Sequence, residues 1–335
     1  MLAGDDLLGD QDAIVAALAR CDVLTTAARA DLESLAELLL PSVAPAGTVL
    51  LRRGDVAGHF LLLTSGSVRV AAGGEAAEKI TVVAEGSILG EMALLRQAPC
   101  SGTVTAMTQT RYLKGGRAAF TQMLAIPGVR EKVMTTARQR LAAGMVPVPV
   151  TLRDGTTAGL RPICPADQHE LMRGEALFSA KTRYQRFLGG ERITAAMARY
   201  LTEIDYLDHF AWVAVDSADV SVGGVTYVRS ASDRALADIS FLIKDEFQER
   251  GLGTLLMGAA AIAAQRNGIS RFAADVLAEN APMRAILDHA GIRWQRAQGG
   301  VVHGVVAVPD PGTFGITPAT AAALGAAVDE IKLPR

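Results

Sequence analysis

Aromatic residues make up only 5% of the sequence while hydrophobic residues make up 50%. Alanine, valine and leucine must therefore fill the interior, a composition that is globular and excludes a disordered chain. Charge of one sign is also missing: Lys plus Arg number 33 and Asp plus Glu 35, a net charge of −2. A balance that close excludes non-specific attraction to nucleic acid or to an anionic membrane. Long apolar runs are absent too. Residues 311–328 are diluted by Gly, Pro and Thr, and 38–51 and 251–265 fall short of the ~18 apolar residues a membrane span needs. Residues 1–12 carry acids where a secretory leader has a basic start and an apolar core, which predicts a cytoplasmic protein. Cysteine is scarce: Cys21, Cys100 and Cys164 are odd in number, far apart and free of any C-x-x-C pair. They read as reduced thiols rather than a disulfide frame or a metal site.

What is present divides in two. A chain of 335 residues is about twice the length of one compact domain. In DLESLAELLLP, apolar residues at 32, 35, 38 and 39 form a helical stripe ended by Pro41. The period then changes. TVLLRRGD, HFLLLTSGSVRVAA, EKITVVAEGSILGEMALL and GTVTAMTQTRYLK are short strand-like runs parted by glycine turns, the pattern of a small β-roll or barrel. Residues 117–143 read as helices, and Pro147 and Pro149 break helix and mark a linker at 144–150. Beyond it, VTLRDG and AGLRPI form a hairpin, 167–206 is helical, and HFAWVAVD, SVGGVTYVR and LADISFLI are three successive strands. A helix at 251–267, the strand RFAADVL, a helix at 281–290 and a strand near 301–308 follow. The fold class is therefore α+β: an N-terminal β-roll domain over 1–143, the linker, a mixed α/β domain over 151–310 and a helical tail over 311–335. Thr317-Pro318 opens the tail helix as N-cap and first helical residue.

Two segments carry candidate chemistry. In Gly90-Glu91-Met92-Ala93-Leu94-Leu95, followed by Pro99-Cys100-Ser101, a strand ends in a short helical turn and restarts after a proline. Such a turn offers amides to a phosphate, and Glu91 can accept from a ribose hydroxyl. A barrel corner packing Leu94 and Leu95 explains the same residues. With Gly47, Gly54-Asp55, Phe60, Leu62 and Ser65-Gly66 at the spacing they have, the segment resembles a cyclic nucleotide-binding domain, whose phosphate cassette reads glycine, glutamate, apolar, alanine and then proline-arginine. The resemblance implies that the glutamate holds the ribose 2′-hydroxyl while the turn amides and the arginine hold the cyclic phosphate. It carries to Gly90, Glu91, Met92, Ala93 and Ser101. The arginine position is Cys100, so the charge-assisted contact worth ~1.5–3 kcal/mol is missing and cyclic AMP binding is expected to be weak or lost.

The second segment is Gln248-Glu249-Arg250-Gly251-Leu252-Gly253-Thr254, between the strand LADISFLI and a helix. A glycine turn at a helix N-terminus gathers free amides at the positive end of the helix dipole, which suits a pyrophosphate, although a glycine pair alone is more often a plain turn. Leu256 stands where a dinucleotide fingerprint wants a third glycine, and no Gly-Lys-Thr or Gly-Lys-Ser follows for a P-loop. The run Q-x-x-G-x-G, with Asn280-Ala281-Pro282-Met283 opening a helix after the next strand and Gly291-Ile292 closing it, resembles the GNAT acetyltransferases. That resemblance implies that the turn amides bind the pyrophosphate of acetyl-CoA, that the flanking strands splay to admit its pantetheine arm beside Asn280 and Met283, and that the backbone of Phe241, Leu242 and Ile243 pairs with it.

A lysine amine, with a pKa of about 10.4, must lose a proton before attacking a thioester. Asp238, the one acid in LADISFLI, is the candidate base; an edge-strand aspartate facing solvent is the alternative. The GNAT pattern implies a tyrosine acid seven residues after Asn280, where Leu287 stands, so the leaving thiolate takes its proton from water or departs unprotonated.

Taken together, with Thr182-Arg183-Tyr184-Gln185-Arg186-Phe187, Asp205-Tyr206-Leu207-Asp208-His209-Phe210-Ala211-Trp212-Val213 and Arg271-Phe272-Ala273-Ala274, the chain resembles the mycobacterial-type, cyclic-AMP-regulated protein lysine acetyltransferases. The resemblance implies a protein acceptor such as an acyl-CoA synthetase, a helical lid at 167–206, cyclic AMP as regulator, and glutamate where Asp238 stands. Two other readings stay open. One is a small-molecule N-acetyltransferase with a relic first domain, and the other a non-catalytic acyl-CoA or cyclic nucleotide sensor.

Overall fold

The structure is a computed structural model and describes residues 10–56, 58–72, 79–174, 194–296 and 299–333. It divides into two compact units, Met1–Ala137 with Leu333–Arg335, and Arg138–Lys332.

In the first unit the helices α1 (Gln11–Leu18) and α2 (Arg29–Ala36) precede eight strands. These are β1 (Leu39–Ala44), β2 (Val49–Leu51), β3 (His59–Ser65), β4 (Ser67–Ala72), β5 (Lys79–Ala84), β6 (Ile88–Leu89), β7 (Gly102–Ala106) and β8 (Thr110–Gly116). They form two four-stranded sheets, ordered β1-β8-β3-β6 and β2-β7-β4-β5, the expected roll. Helix α3 (Glu91–Arg96) sits between β6 and β7, α4 (Arg117–Ala125) follows β8, and α5 (Val129–Gly144) runs across the division at Arg138. The stripe at 32–39 is divided differently from the sequence expectation: α2 stops at Ala36, and Leu39 already begins β1, which contains Pro41. The proline is tolerated because β1 is an edge strand with one neighbour, β8.

The second unit is built on one eight-stranded sheet. Its strands are β9 (Val148–Thr151), β10 (Thr157–Pro162), β11 (His209–Val215), β12 (Ser221–Arg229), β13 (Leu236–Ile243), β14 (Arg271–Leu277), β15 (Arg293–Arg296) and β16 (Val301–Ala307). Their order is β15-β16-β14-β13-β12-β11-β10-β9. Helices α6 (Gln168–Gly174) and α7 (Ala195–Thr202) belong to the segment expected to be helical. Residues 175–193 of that segment, with Thr182 to Phe187, lie outside the described residues, and 203–206 are not helical. Helix α8 (Leu252–Arg266) is buried along most of its length, because its Ala, Leu and Met residues run all round it. Trp212 donates its indole N–H to the Ala259 carbonyl at 2.9 Å and so ties β11 to α8. A buried pair, Arg161 with Asp167 at 2.7 and 2.9 Å, fixes the turn after β10, and the Cys164 amide adds a bond to Asp167 at 2.7 Å.

The boundaries differ from those expected at two places. The supposed linker 144–150 already contains the start of β9, an edge strand in which prolines 147 and 149 flank Val148 without interrupting an interior ladder. The supposed tail belongs to the second core: α10 (Pro318–Ile331), which follows α9 (Ala281–His289), buries Leu324, Val328 and Ile331, spaced four and three residues apart on one face. Cys21, Cys100 and Cys164 are buried free thiols. No helix among the described residues is long and apolar enough to cross a membrane.

Candidate functional site

The cassette of the first unit has the expected backbone. Gly90 caps α3 at φ 83°, and an added Cβ would meet the His59 carbonyl oxygen at 2.9 Å, so glycine is required there twice over. Glu91 opens the helix and is buried, at 1% exposure; Ala93 is buried and Met92 half-buried. The first intrahelical bond runs from the Leu94 amide to the Gly90 carbonyl at 3.4 Å, so the amides before it have no intrahelical acceptor. Cys100 and Ser101 differ in environment: Ser101 is exposed, whereas Cys100 belongs to the apolar cluster that includes Phe60, Ala93 and Leu94. The Cys100 amide donates to Asp55 O, and its carbonyl accepts from the Gly54 amide, both at 2.9 Å. Burial, and then the Asp55 carboxylate, push its thiol above the ordinary range, so it stays neutral and offers no charge to a phosphate.

In the second unit β13 and β14 are parallel, paired over Leu236–Arg271, Ala237–Phe272 and Asp238–Ala273 and no further. On its other edge β13 stays paired with β12 as far as Ile243. The strands therefore part immediately after Asp238, and the β13 edge facing β14 has no strand partner beyond that point among the described residues. A cavity of about 520 Å³ fills the opening. It brings together Phe241, Leu242, Ile243, Gln248, Glu249, Gly251, Gly253, Thr254, Asn280 and Met283, residues far apart in sequence.

Local geometry explains the turn. Gly251 caps α8 at φ 85°, Glu249 takes φ 60°, and Gln248 braces the loop by donating to the Ile243 carbonyl at 3.2 Å. At Gly253 an added Cβ would come within 2.5 Å of Ile286, so glycine is what allows α8 to approach α9. Asn280 caps α9, its side-chain oxygen accepting from the Met283 amide at 3.3 Å.

Two residues of the turn direct their side chains away from the cavity. Leu252 is buried in the core at 1% exposure. Arg250 turns away from the cavity to pair with Asp154 and to donate to Thr156 Oγ1 at 2.7 Å. Hydrogen bonds from Thr156, and then Arg250, hold Asp154 down at about 2. Asp238 is exposed at the point of parting and does not line the cavity wall. Leu287 is fully buried, so that position of α9 faces the core rather than the cavity.

Three polar residues were missed. Asp275 lines the cavity and accepts from, or pairs with, His303 Nδ1 at 2.8 Å. Partial burial, and then the Asp275 carboxylate, raise the Asp238 carboxyl above its ordinary value, while His303 acts in the opposite direction. Arg153, from the β9–β10 hairpin, lies across Gly251, where an added Cβ would meet its Cγ at 2.8 Å. Asp275 was accessible to the argument that singled out Asp238, since it is the one acid inside RFAADVL; the strand register that sets it beside the cavity was not.

A cyclic nucleotide-binding domain model matches residues 42–126, and an acetyltransferase (GNAT) domain model matches 158–293. The chain is 39% identical over 303 residues to the acetyltransferase Pat of Mycolicibacterium smegmatis, covering 90% of this chain and 91% of that protein. It belongs to the Pat family of acetyltransferases. A solved cAMP-binding acyltransferase from Mycobacterium smegmatis matches at 35% identity and TM-score 0.50, over 96% of this chain and 97% of that one. The first domain alone is 28% identical over 116 residues to a cAMP-dependent protein kinase regulatory subunit of Pyricularia oryzae, covering 35% of this chain and 29% of that protein. The chain is thus a GNAT-class N-acetyltransferase joined to a cyclic nucleotide-binding domain, the architecture its two segments imply.

Proposed function

We propose that this Pat-family chain transfers the acetyl group of acetyl-CoA to the ε-amine of a lysine in a protein acceptor, with an acyl-CoA synthetase as the acceptor class, under a cyclic nucleotide domain that holds cyclic AMP weakly. The observation that supports it best is the parting of β13 and β14 directly after Asp238, beside a cavity walled by the glycine turn and the start of α8.

Acetyl-CoA supplies a thioester carbonyl. The amides at the N-terminus of α8 suit its pyrophosphate, with the helix dipole adding favourable potential. The unpaired edge of β13 at Phe241 to Ile243 offers backbone groups to the pantetheine amides, much as a missing strand would. Arg153 adds a positive charge beside the same turn. Asp238 takes the proton of the incoming ammonium, directly or through water. Its raised pKa brings the carboxylate nearer to the operating range of a general base. No side chain of α9 at Leu287 can return a proton to the thiolate. In the first unit Glu91 and the amides of α3 suit the ribose and phosphate, while the neutral, buried Cys100 removes the charged contact.

The test is acetylation by the full chain with labelled acetyl-CoA and a cell lysate, with and without cyclic AMP. Labelled protein is expected. Label confined to small molecules would favour the reading in which the first domain is a relic, which the loss of charge at Cys100 supports. No label in any product would overturn transferase activity.

A further inference from the structure

A second cavity, of about 350 Å³, adjoins the first through Ser240 and Leu242, which line both. Its floor is the face of the sheet that carries Ala211 and Val213 on β11, Gly224 and Thr226 on β12, and Ser240 and Leu242 on β13, aligned by the strand register. Gly224 leaves this floor open. It stands between Val213 and Leu242 in the register, and an added Cβ would meet the Trp212 carbonyl oxygen at 2.8 Å. Leu171 of α6 and Leu201 of α7 contribute apolar walls. The space is far larger than an acetyl group fills.

Into this apolar space comes Lys244, the residue after β13, on the same alternation as Ser240 and Leu242. The residue is more than nine-tenths buried, at 8% exposure, while its ammonium opens into the cavity and makes no hydrogen bond or ion pair among the described residues. Its backbone amide is fixed on Val222 O at 3.0 Å, so the chain holds it in place. Glu170 shares the cavity wall, yet one of its oxygens already accepts from the Ser221 amide at 3.0 Å, and Arg173 on the same helix adds a second positive group. A cation on the wall of a mainly apolar cavity is a ready partner for an anion that enters it. From Ser240, where the two cavities meet, to Lys244 is four residues, ~13 Å. A lysine side chain reaching back and a short acyl chain reaching forward together cover such a distance.

The structure assigns this cavity to the acyl chain of the donor, and specifically to a short dicarboxylic acyl-CoA whose terminal carboxylate pairs with Lys244. This rests on the acyltransferase reading above and extends its donor range. The transfer is otherwise the same: the acceptor nitrogen bonds to the thioester carbonyl carbon, the C–S bond breaks, the amine proton passes to Asp238, and the CoA thiolate takes a proton from water. The product is an acidic acyl-lysine, which reverses the lysine's charge rather than merely removing it.

Succinyl-CoA and acetyl-CoA serve as probes with the full chain, read by calorimetric affinity and by kcat/KM for transfer to a lysine peptide. The wild-type chain is expected to bind succinyl-CoA at least as tightly as acetyl-CoA. In Lys244→Met the succinyl-to-acetyl ratio, in affinity and in kcat/KM, should fall roughly tenfold or more, as loss of a charge-assisted contact requires. Lys244→Arg should restore part of it. If Lys244→Met does not fold, the wild-type affinity ratio still decides. A wild-type preference for acetyl-CoA of tenfold or more, or an unchanged ratio in Lys244→Met, would overturn the assignment. So would an effect that follows acidic residues in the acceptor peptide rather than the donor. Because binding is read separately from transfer, a chain that transfers acetyl groups but fails these tests loses this inference alone, and one that transfers nothing loses the broader reading.

Discussion

The two units carry candidate anion sites of different kinds, and these depart unequally from the patterns they resemble. In the second, the candidate pyrophosphate site is mainly backbone: amides at the start of α8, reached because Gly251 takes φ 85° and Gly253 lies against Ile286. In the first, the backbone half of the cassette is kept, with Gly90 at φ 83° and Glu91 buried, while the side-chain half has become Cys100 inside an apolar cluster. A backbone site needs glycine geometry and tolerates much else. A site that depends on one charged side chain can lose its strongest contact at a single position without losing its fold.

The contrast can be broken most severely at the glycines. Gly251→Val forces a β-branched residue to φ 85° and drives its Cβ into Arg153, so calorimetric binding of acetyl-CoA is expected to disappear while the thermal unfolding of the first unit is kept. Undiminished affinity would show that the turn is not a backbone site. Next in size is Asp238→Asn, which keeps shape but cannot accept a proton near neutral pH. Turnover should fall by roughly a hundredfold or more, with acetyl-CoA affinity little changed. Wild-type turnover would make Asp238 a solvated strand residue.

A smaller effect sharpens the comparison from the other side. Cys100→Arg restores the missing charge, and cyclic AMP affinity, followed by titration of both proteins, should tighten roughly tenfold or more. Tight binding by the native chain would show that another residue has taken the arginine's place. No gain would show that the pocket has changed beyond Cys100. Smallest is a pH shift. Partial burial, and then the Asp275 carboxylate, raise the Asp238 pKa, and the base acts when deprotonated, so the acid limb of kcat/KM is expected above the ordinary carboxylate value. Removing the like charge in Asp275→Asn should move that limb to lower pH, and removing the opposing charge in His303→Gln should move it higher. Profiles of kcat/KM against pH for the three proteins check both signs.

Much of this was legible because the information is local. The glycines of the two turns, the strand periods of β3, β11 and β13, the cap at Thr317 and the acid in LADISFLI are all read within a few residues. Where the reading slipped, a tertiary neighbour decided. Leu39 continued a helical stripe in sequence but pairs with Gly115 in a sheet. The residues after 311 read as a tail until the face carrying Leu324 and Val328 was set in the second core. The side chain of Arg250, in the middle of the glycine turn, pairs with Asp154 of the β9–β10 hairpin, a partner 96 residues away in sequence.

The sequence by itself determined the kind of protein this is: two domains, their order, a glycine turn before a long apolar helix, and a cassette with cysteine in the place of arginine. These follow from residue type and spacing along the chain, which local conformation and side-chain chemistry make decisive. Only the tertiary structure decided which groups meet. The parting of β13 from β14 after Asp238, the Asp275–His303 pair, Arg153 across Gly251 and Lys244 buried without an anion each depend on strand register and on packing between distant segments. A one-residue change of register would send every one of those strand side chains to the opposite face, and nothing in the local sequence of either strand records which register its neighbour adopts.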